Sequence, residues 1–184
     1  MMNYQNVKKY PAYKDSGVEW IGEVPVGWHL KRIKYMDIIT MGQSPDSKDC
    51  NVDGNGMPFL QGNAEFGSIN PNPILWSTKP KKQSLTGDIL LSVRAPVGEI
   101  NISNINYCIG RGLCAIKVSK SSLKLRYYQL IAVKHELIKL STGSTFKAIS
   151  IHDISNSSIN WFIIPIWIKE YLLPIQHLFC MRAL

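Results

Sequence analysis

The chain is 184 residues long, enough for one domain that buries roughly 70% of the surface its unfolded form exposes. Its 45% apolar content excludes a disordered chain, and 21 Lys+Arg against 13 Asp+Glu give a net charge of +8, which favours an anionic partner, nucleic acid first. Cys50, Cys108, Cys114 and Cys180 form no C-x-x-C pair and have no metal-spaced histidines, and the opening MMNYQNVKKYPAYKD has no apolar h-region, so a reduced, cytoplasmic setting is expected.

Residues 1–9 read as a flexible tail. Between Tyr10 and Trp28, turn residues follow one another quickly at Pro11, Asp15, Ser16, Gly17, Gly22, Pro25 and Gly27. Such spacing predicts an irregular strap whose aromatic side chains cover an edge of the core. His29 to Ile33 alternates as a half-exposed strand, with Leu30 and Ile33 inward and Lys31 and Arg32 outward. Lys34 to Met41 then leads through Ile38 and Ile39 to Gly42.

The polar stretch from Gly42 to Met57 is long for a compact domain, which points to function or mobility. Gln43 and Ser44 are its candidates for contact with DNA base edges, because glutamine pairs bidentately with adenine. Asp49, Asn51, Asp53 and Gly54 match the opening of a calcium loop, but the twelfth position is Leu60 where a bidentate Glu is required. A solvated turn is expected there instead. Pro58 to Gly62 reads as a short strand and Asn63 to Pro73 as irregular. Lys79, Lys81 and Lys82 follow beside Trp76, placed either to neutralise phosphates or to solvate a turn.

The segment Gly87 to Lys117, GDILLSVRAPVGEINISNINYCIGRGLCAIK, holds short apolar runs separated by Pro, Gly, Asn and Ser, the pattern of consecutive strands with tight connections. Arg94 stands beside Ala95, Pro96 and Gly98, and Arg111 between Gly110 and Gly112. An arginine on a rigid strand end next to glycine holds a five-donor fork against a phosphate or a guanine edge. A plain surface turn accounts for either arginine equally well. Cys108 and Cys114 read as small buried hydrophobes.

Ser119 to Ser122 offers N-cap residues, and Leu123 to Leu140 has helical spacing. Leu123, Tyr127, Leu130, Ile131, Leu137 and Ile138 form the expected buried stripe, with Lys124, Arg126, Lys134 and Lys139 largely off it. His135 reads as a surface or core-edge residue, and Gly143 as the C-terminal glycine. In the compact basic run Ser141 to Lys147, residues Ser144, Thr145 and Lys147 are candidates for holding a phosphate. Beyond Pro165 the sequence IWIKEYLLPIQHLFCMRAL contains Pro174, which breaks a helix. Its charges interrupt the apolar run too often for a membrane span.

GDILLSVRAPVGEI and IGRGLCAIK resemble the target-recognition domain of the specificity subunit of Type I restriction-modification systems. YPAYKDSGVEWIGEVPVGWHLKRI at Tyr10 to Ile33 and GSTFKAISIHDISNSSI at Gly143 to Ile159 extend the resemblance in the family's order. It implies an α+β fold: a single recognition domain over 10–165 with a twisted, mostly antiparallel sheet, one main packed helix and long recognition loops. The family continues into a long polar spacer helix, whereas 166–184 departs from that pattern, which suggests a truncated or frame-shifted gene or a tail left by recombination.

The implied task is sequence-specific binding of double-stranded DNA. That binding directs methyltransferase (M) and restriction (R) subunits to one half of a bipartite site, with a second specificity half or a homodimer supplying the other. S-adenosylmethionine, ATP and Mg are then expected on the partner subunits and no cofactor on this chain. Catalytic signatures agree with that expectation. Asn70-Pro71-Asn72-Pro73 has the wrong spacing for an adenine-extruding motif, and Gly110-x-Gly112-x-x-Ala115 continues as a strand rather than opening a helix. The acidic residues form no nuclease-like cluster. Two other classes remain open: a non-specific or RNA-binding module, and an inactive fragment serving as a protein-interaction domain through 160–184.

Overall fold

The computed structural model describes residues 10–19, 21–119, 122–143, 148–156 and 160–163, the backbone alone for 156 and 160–163. The expectations for 1–9, for Ser144, Thr145 and Lys147, and for 166–184 lie outside the described residues. The chain divides into two compact units, Met1–Lys31 with Asn160–Leu184, and Arg32–Ile159.

In the first unit the expected strap contains an antiparallel hairpin, β1 (Tyr13–Asp15) and β2 (Glu23–Pro25), with Tyr13 opposite Pro25. Its connection turns because Gly17 (φ 71°) and Gly22 (φ 67°) take left-handed backbone, and the Asp15 carboxylate accepts the Gly17 N–H at 2.9 Å. Tyr10 meets Trp28 edge to face, ring centroids 5.8 Å apart. The strand predicted at His29 is β3 (His29–Arg32), which pairs with β13 (Asn160–Ile163).

The second unit is built on two sheets. Strands β4 (Asp37–Met41), β9 (Ile89–Ser92), β10 (Ile100–Ile102) and β12 (Leu113–Val118) form an antiparallel sheet in the order β10-β9-β12-β4. Strands β5 (Cys50–Asn51), β6 (Met57–Leu60), β7 (Leu75–Ser77), β8 (Gln83–Ser84) and β11 (Tyr107–Ile109) form the other, in the order β5-β7-β6-β11-β8. Only the β6–β11 pair in these two sheets is parallel.

Side chains alternate across a strand, so strands buried on both faces read as unbroken apolar runs, as Ile89-Leu90-Leu91 and Leu113-Cys114-Ala115-Ile116 do. Leu90, Leu113 and Ala115 join Leu60, Tyr107 and Ile109 in one core cluster that links the two sheets. Each such aliphatic side chain contributes about 1.5–3 kcal/mol. On the alternate positions Ile89, Leu91, Cys114 and Ile116 are also fully buried, with helical segments packed along the same sheet. Of these, α1 (Leu123–Ala132) lies against β10 and α3 (Ile151–Asn156) against β4, the two edges of the sheet.

The α+β class and the mostly antiparallel pairing hold, but the predicted helix over Leu123–Leu140 is divided at Val133 into α1 and α2 (Lys134–Leu140). Val133 has φ −92° and ψ 4°, and its carbonyl accepts from both Glu136 at 2.9 Å and Leu137 at 3.1 Å, so the chain tightens by one turn there. That tightening shifts the buried stripe to Arg126, Leu130, Val133 and Leu137, leaving Ile131 and Ile138 each 39% exposed.

Arg126, expected off the stripe, is wholly buried because its Nε lies 2.6 Å from the equally buried carboxylate of Asp37 on β4. A partner 89 positions away along the chain leaves no mark in the local helical pattern. Ser122 occupies the N-cap of α1 without a capping side-chain hydrogen bond.

Candidate nucleic-acid interface

The two candidate arginines meet through strand register. In the β9–β12 ladder Ser92 faces Leu113, and the Val93 N–H donates to the Gly112 carbonyl at 2.9 Å, so the pairing continues past the strand ends. Arg94 and Arg111 each lie one residue beyond this hydrogen bond. Neither forms an ion pair among the described residues.

Arg111 sits at the tip of a tight turn from β11 into β12, closed by the Leu113 N–H on the Gly110 carbonyl at 3.0 Å. The turn is held from two sides. On one, the Gln43 N–H donates to Ile109 at 2.8 Å, the Gly42 N–H to Leu113 at 2.9 Å, and the Ser44 hydroxyl accepts the Arg111 N–H at 3.3 Å. On the other, the Gly110 N–H donates to Leu60 at 2.7 Å and the Gly112 N–H to Gln61 at 3.3 Å.

The glycines here are explained by this crowding. Neither Gly110 nor Gly112 has positive φ, but a Cβ on Gly112 would lie 2.7 Å from the Gln61 carbonyl oxygen, and one on Gly42 would enter the Gly110 carbonyl. Backbone segments after β4, β6 and β11 are thus pressed into contact, and they fix where Arg111 stands.

Arg94 leaves β9 at the start of a loop tied by Ser92. The buried Ser92 hydroxyl donates to the Pro96 carbonyl at 2.6 Å and accepts the Glu99 N–H at 2.8 Å. Glu99 in turn pairs with Lys134 at the start of α2, 2.6 Å away. Arg94 also bridges to Ala148, and Thr142 and Ala148 exchange backbone hydrogen bonds of 2.9 Å, so the described ends of the predicted phosphate-holding run lie beside it.

Between these strand ends lies a concavity of about 290 Å³ whose lining includes Ser44, Gln61, Asn63, Glu65, Arg94 and Arg111. Three of the sequence candidates therefore share one surface. Gln61, Asn63 and Glu65 were missed, because the segment around them reads only as strand end and irregular loop. The signal present in the sequence was a pair of carboxamides directly following a short apolar run. Glu65 is 9% exposed, and its carboxylate accepts the Gly62 N–H at 3.3 Å, which closes the turn that carries Asn63.

The other described candidates do not line this concavity. Gln43 is exposed and adjoins Ser44 without lining the cavity. Lys82 is exposed, and its carbonyl accepts the Ile109 N–H at 2.9 Å, next to the Arg111 turn. Lys81 pairs with Asp46 at 2.9 Å and Lys79 with Asp49 at 3.5 Å, which ties both to the 42–57 loop.

The calcium-like sequence in that loop is a self-closing turn, with the Asn51 side-chain oxygen accepting from Asp53 at 3.1 Å and Asn55 at 3.0 Å. Among the described residues no three His, Cys, Asp or Glu side chains gather as metal ligands. Burial pushes the Cys114 thiol up to about 12 and raises that of Cys108, the behaviour of packing residues rather than nucleophiles. No helix among the described residues is long and apolar enough to cross a membrane.

The sequence profile of the Type I restriction modification DNA specificity domain matches residues 25–166. The chain belongs to this family. It is 46% identical over 160 residues to the MjaX type I restriction enzyme specificity subunit of Methanocaldococcus jannaschii, covering 84% of this chain and 37% of that protein.

Among solved structures, this specificity domain is similar to the HsdS subunit from Thermoanaerobacter tengcongensis, with TM-score 0.76 and 33% identity over 93% of this chain and 40% of that one. A chain from a type I R-M system, solved to explain complex assembly and conformational transition, matches with TM-score 0.73 and 36% identity over 87% of this chain and 40% of that one. The S subunit from M. genitalium shares the fold at 17% identity, with TM-score 0.59. The specificity domain thus spans about two fifths of the length of the relatives it matches.

Proposed function

We propose that this specificity domain reads a short segment of double-stranded DNA and thereby directs methyltransferase and restriction subunits to one half of a bipartite site. The observation that carries the reading is the convergence of Arg94 and Arg111, from separate strands, into one concavity beside Ser44 with no acid paired to either among the described residues. Unpaired guanidiniums on a braced backbone are pre-set donors for base edges, and guanine O6 and N7 are their best-matched targets.

In this scheme Arg94, Arg111, Ser44 and Gln43 contact bases. Lys79, Lys81, Lys82 and Lys147, with Ser144 and Thr145, hold phosphates and set the register on the duplex. The net charge of +8 supplies the sequence-independent attraction. The chain contributes no catalysis and binds no cofactor of its own; S-adenosylmethionine, ATP and Mg act on the M and R subunits, in the cytoplasm. The recognition unit extends over 10–165, and its length relative to its relatives fits one of two recognition halves, the other coming from a second specificity half or a second copy.

The test is a selection of the chain against a random duplex DNA library at two salt concentrations. Enrichment of one short motif that persists at the higher salt is the expected result. Binding without enrichment that vanishes as salt rises would reduce the function to charge alone.

A further inference from the structure

We infer that Gln61 is a specificity-determining residue that reads an adenine next to the bases contacted by Arg94 and Arg111; the inference rests on the DNA-reading function proposed above. Gln61 follows β6 directly, and its backbone is in contact with the Arg111 turn. Its carbonyl accepts the Gly112 N–H at 3.3 Å, and the preceding Leu60, fully buried, accepts the Gly110 N–H at 2.7 Å. A Cβ on Gly110 would lie 3.0 Å from the Gln61 Cα. Glycine at 110 and 112 therefore brings the arginine-bearing turn against Gln61 itself, so the two side chains project from one rigid junction.

The Gln61 side chain is exposed, lines the same concavity as both guanidiniums, and makes no hydrogen bond to another described residue. A carboxamide presents one acceptor and a donor pair, the complement of adenine N6 and N7, whereas the arginines offer donors only. A carboxamide and two guanidiniums in one concavity, none of them with a side-chain partner among the described residues, make a mixed set suited to adjacent A·T and G·C pairs in a major groove. Gln43, by contrast, lies outside the concavity.

The experiment compares the whole chain with Gln61→Ala and Gln61→Glu in the same random-duplex selection, alongside thermal unfolding of each. Gln61→Ala is expected to keep the motif except at one A·T position, where preference falls roughly five- to 150-fold, with unfolding and the salt dependence of binding unchanged. Gln61→Glu, which loses the donor, is expected to move preference at that same position toward cytosine. A motif from the wild type that both variants reproduce unaltered would overturn the inference and leave the DNA-reading function standing. Absence of any motif from the wild type would overturn both. Should Gln61→Ala fail to fold, the position-specific switch in Gln61→Glu decides the matter.

Discussion

Arg126 and the pair Arg94 and Arg111 put one side-chain type into opposite surroundings. Arg126 is wholly buried, and loss of water lowers its pKa while the Asp37 carboxylate counters the shift. Its Nη1 also donates to Gln129 at 2.8 Å, and the other Asp37 oxygen accepts the Ser119 N–H at 3.1 Å. The ion pair joins α1, β4 and, through the Asp37 carboxylate, the segment after β12, all inside the protein. Arg94 and Arg111 line a cavity instead, and neither forms an ion pair among the described residues. A charge matched inside the protein specifies structure, and a charge left unmatched on a rigid frame is available for a ligand.

The largest effect expected falls on the buried side of this contrast. Arg126→Met should destabilise by about 3–5 kcal/mol in urea unfolding at neutral pH, because it strands the Asp37 charge. Adding Asp37→Leu should recover most of that loss, since a buried pair replaced as a whole by apolar groups is often neutral. If the double variant is no better than the single one, the pair is not the reason for the cost.

Next comes the frame under Arg111. Gly42→Ala drives a methyl into the Gly110 backbone and should cost about 1–3 kcal/mol, with weaker specific binding because the Arg111 turn must shift. Ser92→Ala unties the loop that carries Arg94 and should cost about 1–2 kcal/mol by the same unfolding measurement. The smallest effect concerns α3. The Asp153 carboxylate is held below its ordinary value of 3.8, chiefly by accepting the Ser150 hydroxyl at 2.6 Å. A depressed carboxylate pKa contributes stability that is complete above 3.8 and is lost as pH falls through the folded value. Amide shifts of Ile151–Asn156 followed by NMR on acidification should therefore include a step in that low range that is absent in Asp153→Asn.

What the sequence made legible follows the same division. The apolar runs that become β9 and β12 were legible because both of their faces are buried, and Arg94 and Arg111 were visible as arginines set in turn residues. That the two arginines reach one concavity depends on the β9–β12 register, in which Ser92 pairs with Leu113 and the Val93 N–H meets the Gly112 carbonyl, and local pattern does not encode it. The burial of Arg126 was hidden for a related reason: its pairing with Asp37, distant in sequence, overrode helical periodicity. Gln61 was passed over because its place beside the arginines comes from two glycines in the distant β11–β12 turn.

The central claim is that the exposed arginines read sequence while the lysines hold position. It is tested most directly by titrating Arg94→Ala and Lys81→Ala against a duplex carrying the selected motif and against random duplex at one salt concentration. The account predicts that Arg94→Ala loses about 1–3 kcal/mol on the motif and much less on random DNA, whereas Lys81→Ala loses similar amounts on both. Matching losses for the two variants on both duplexes would contradict it.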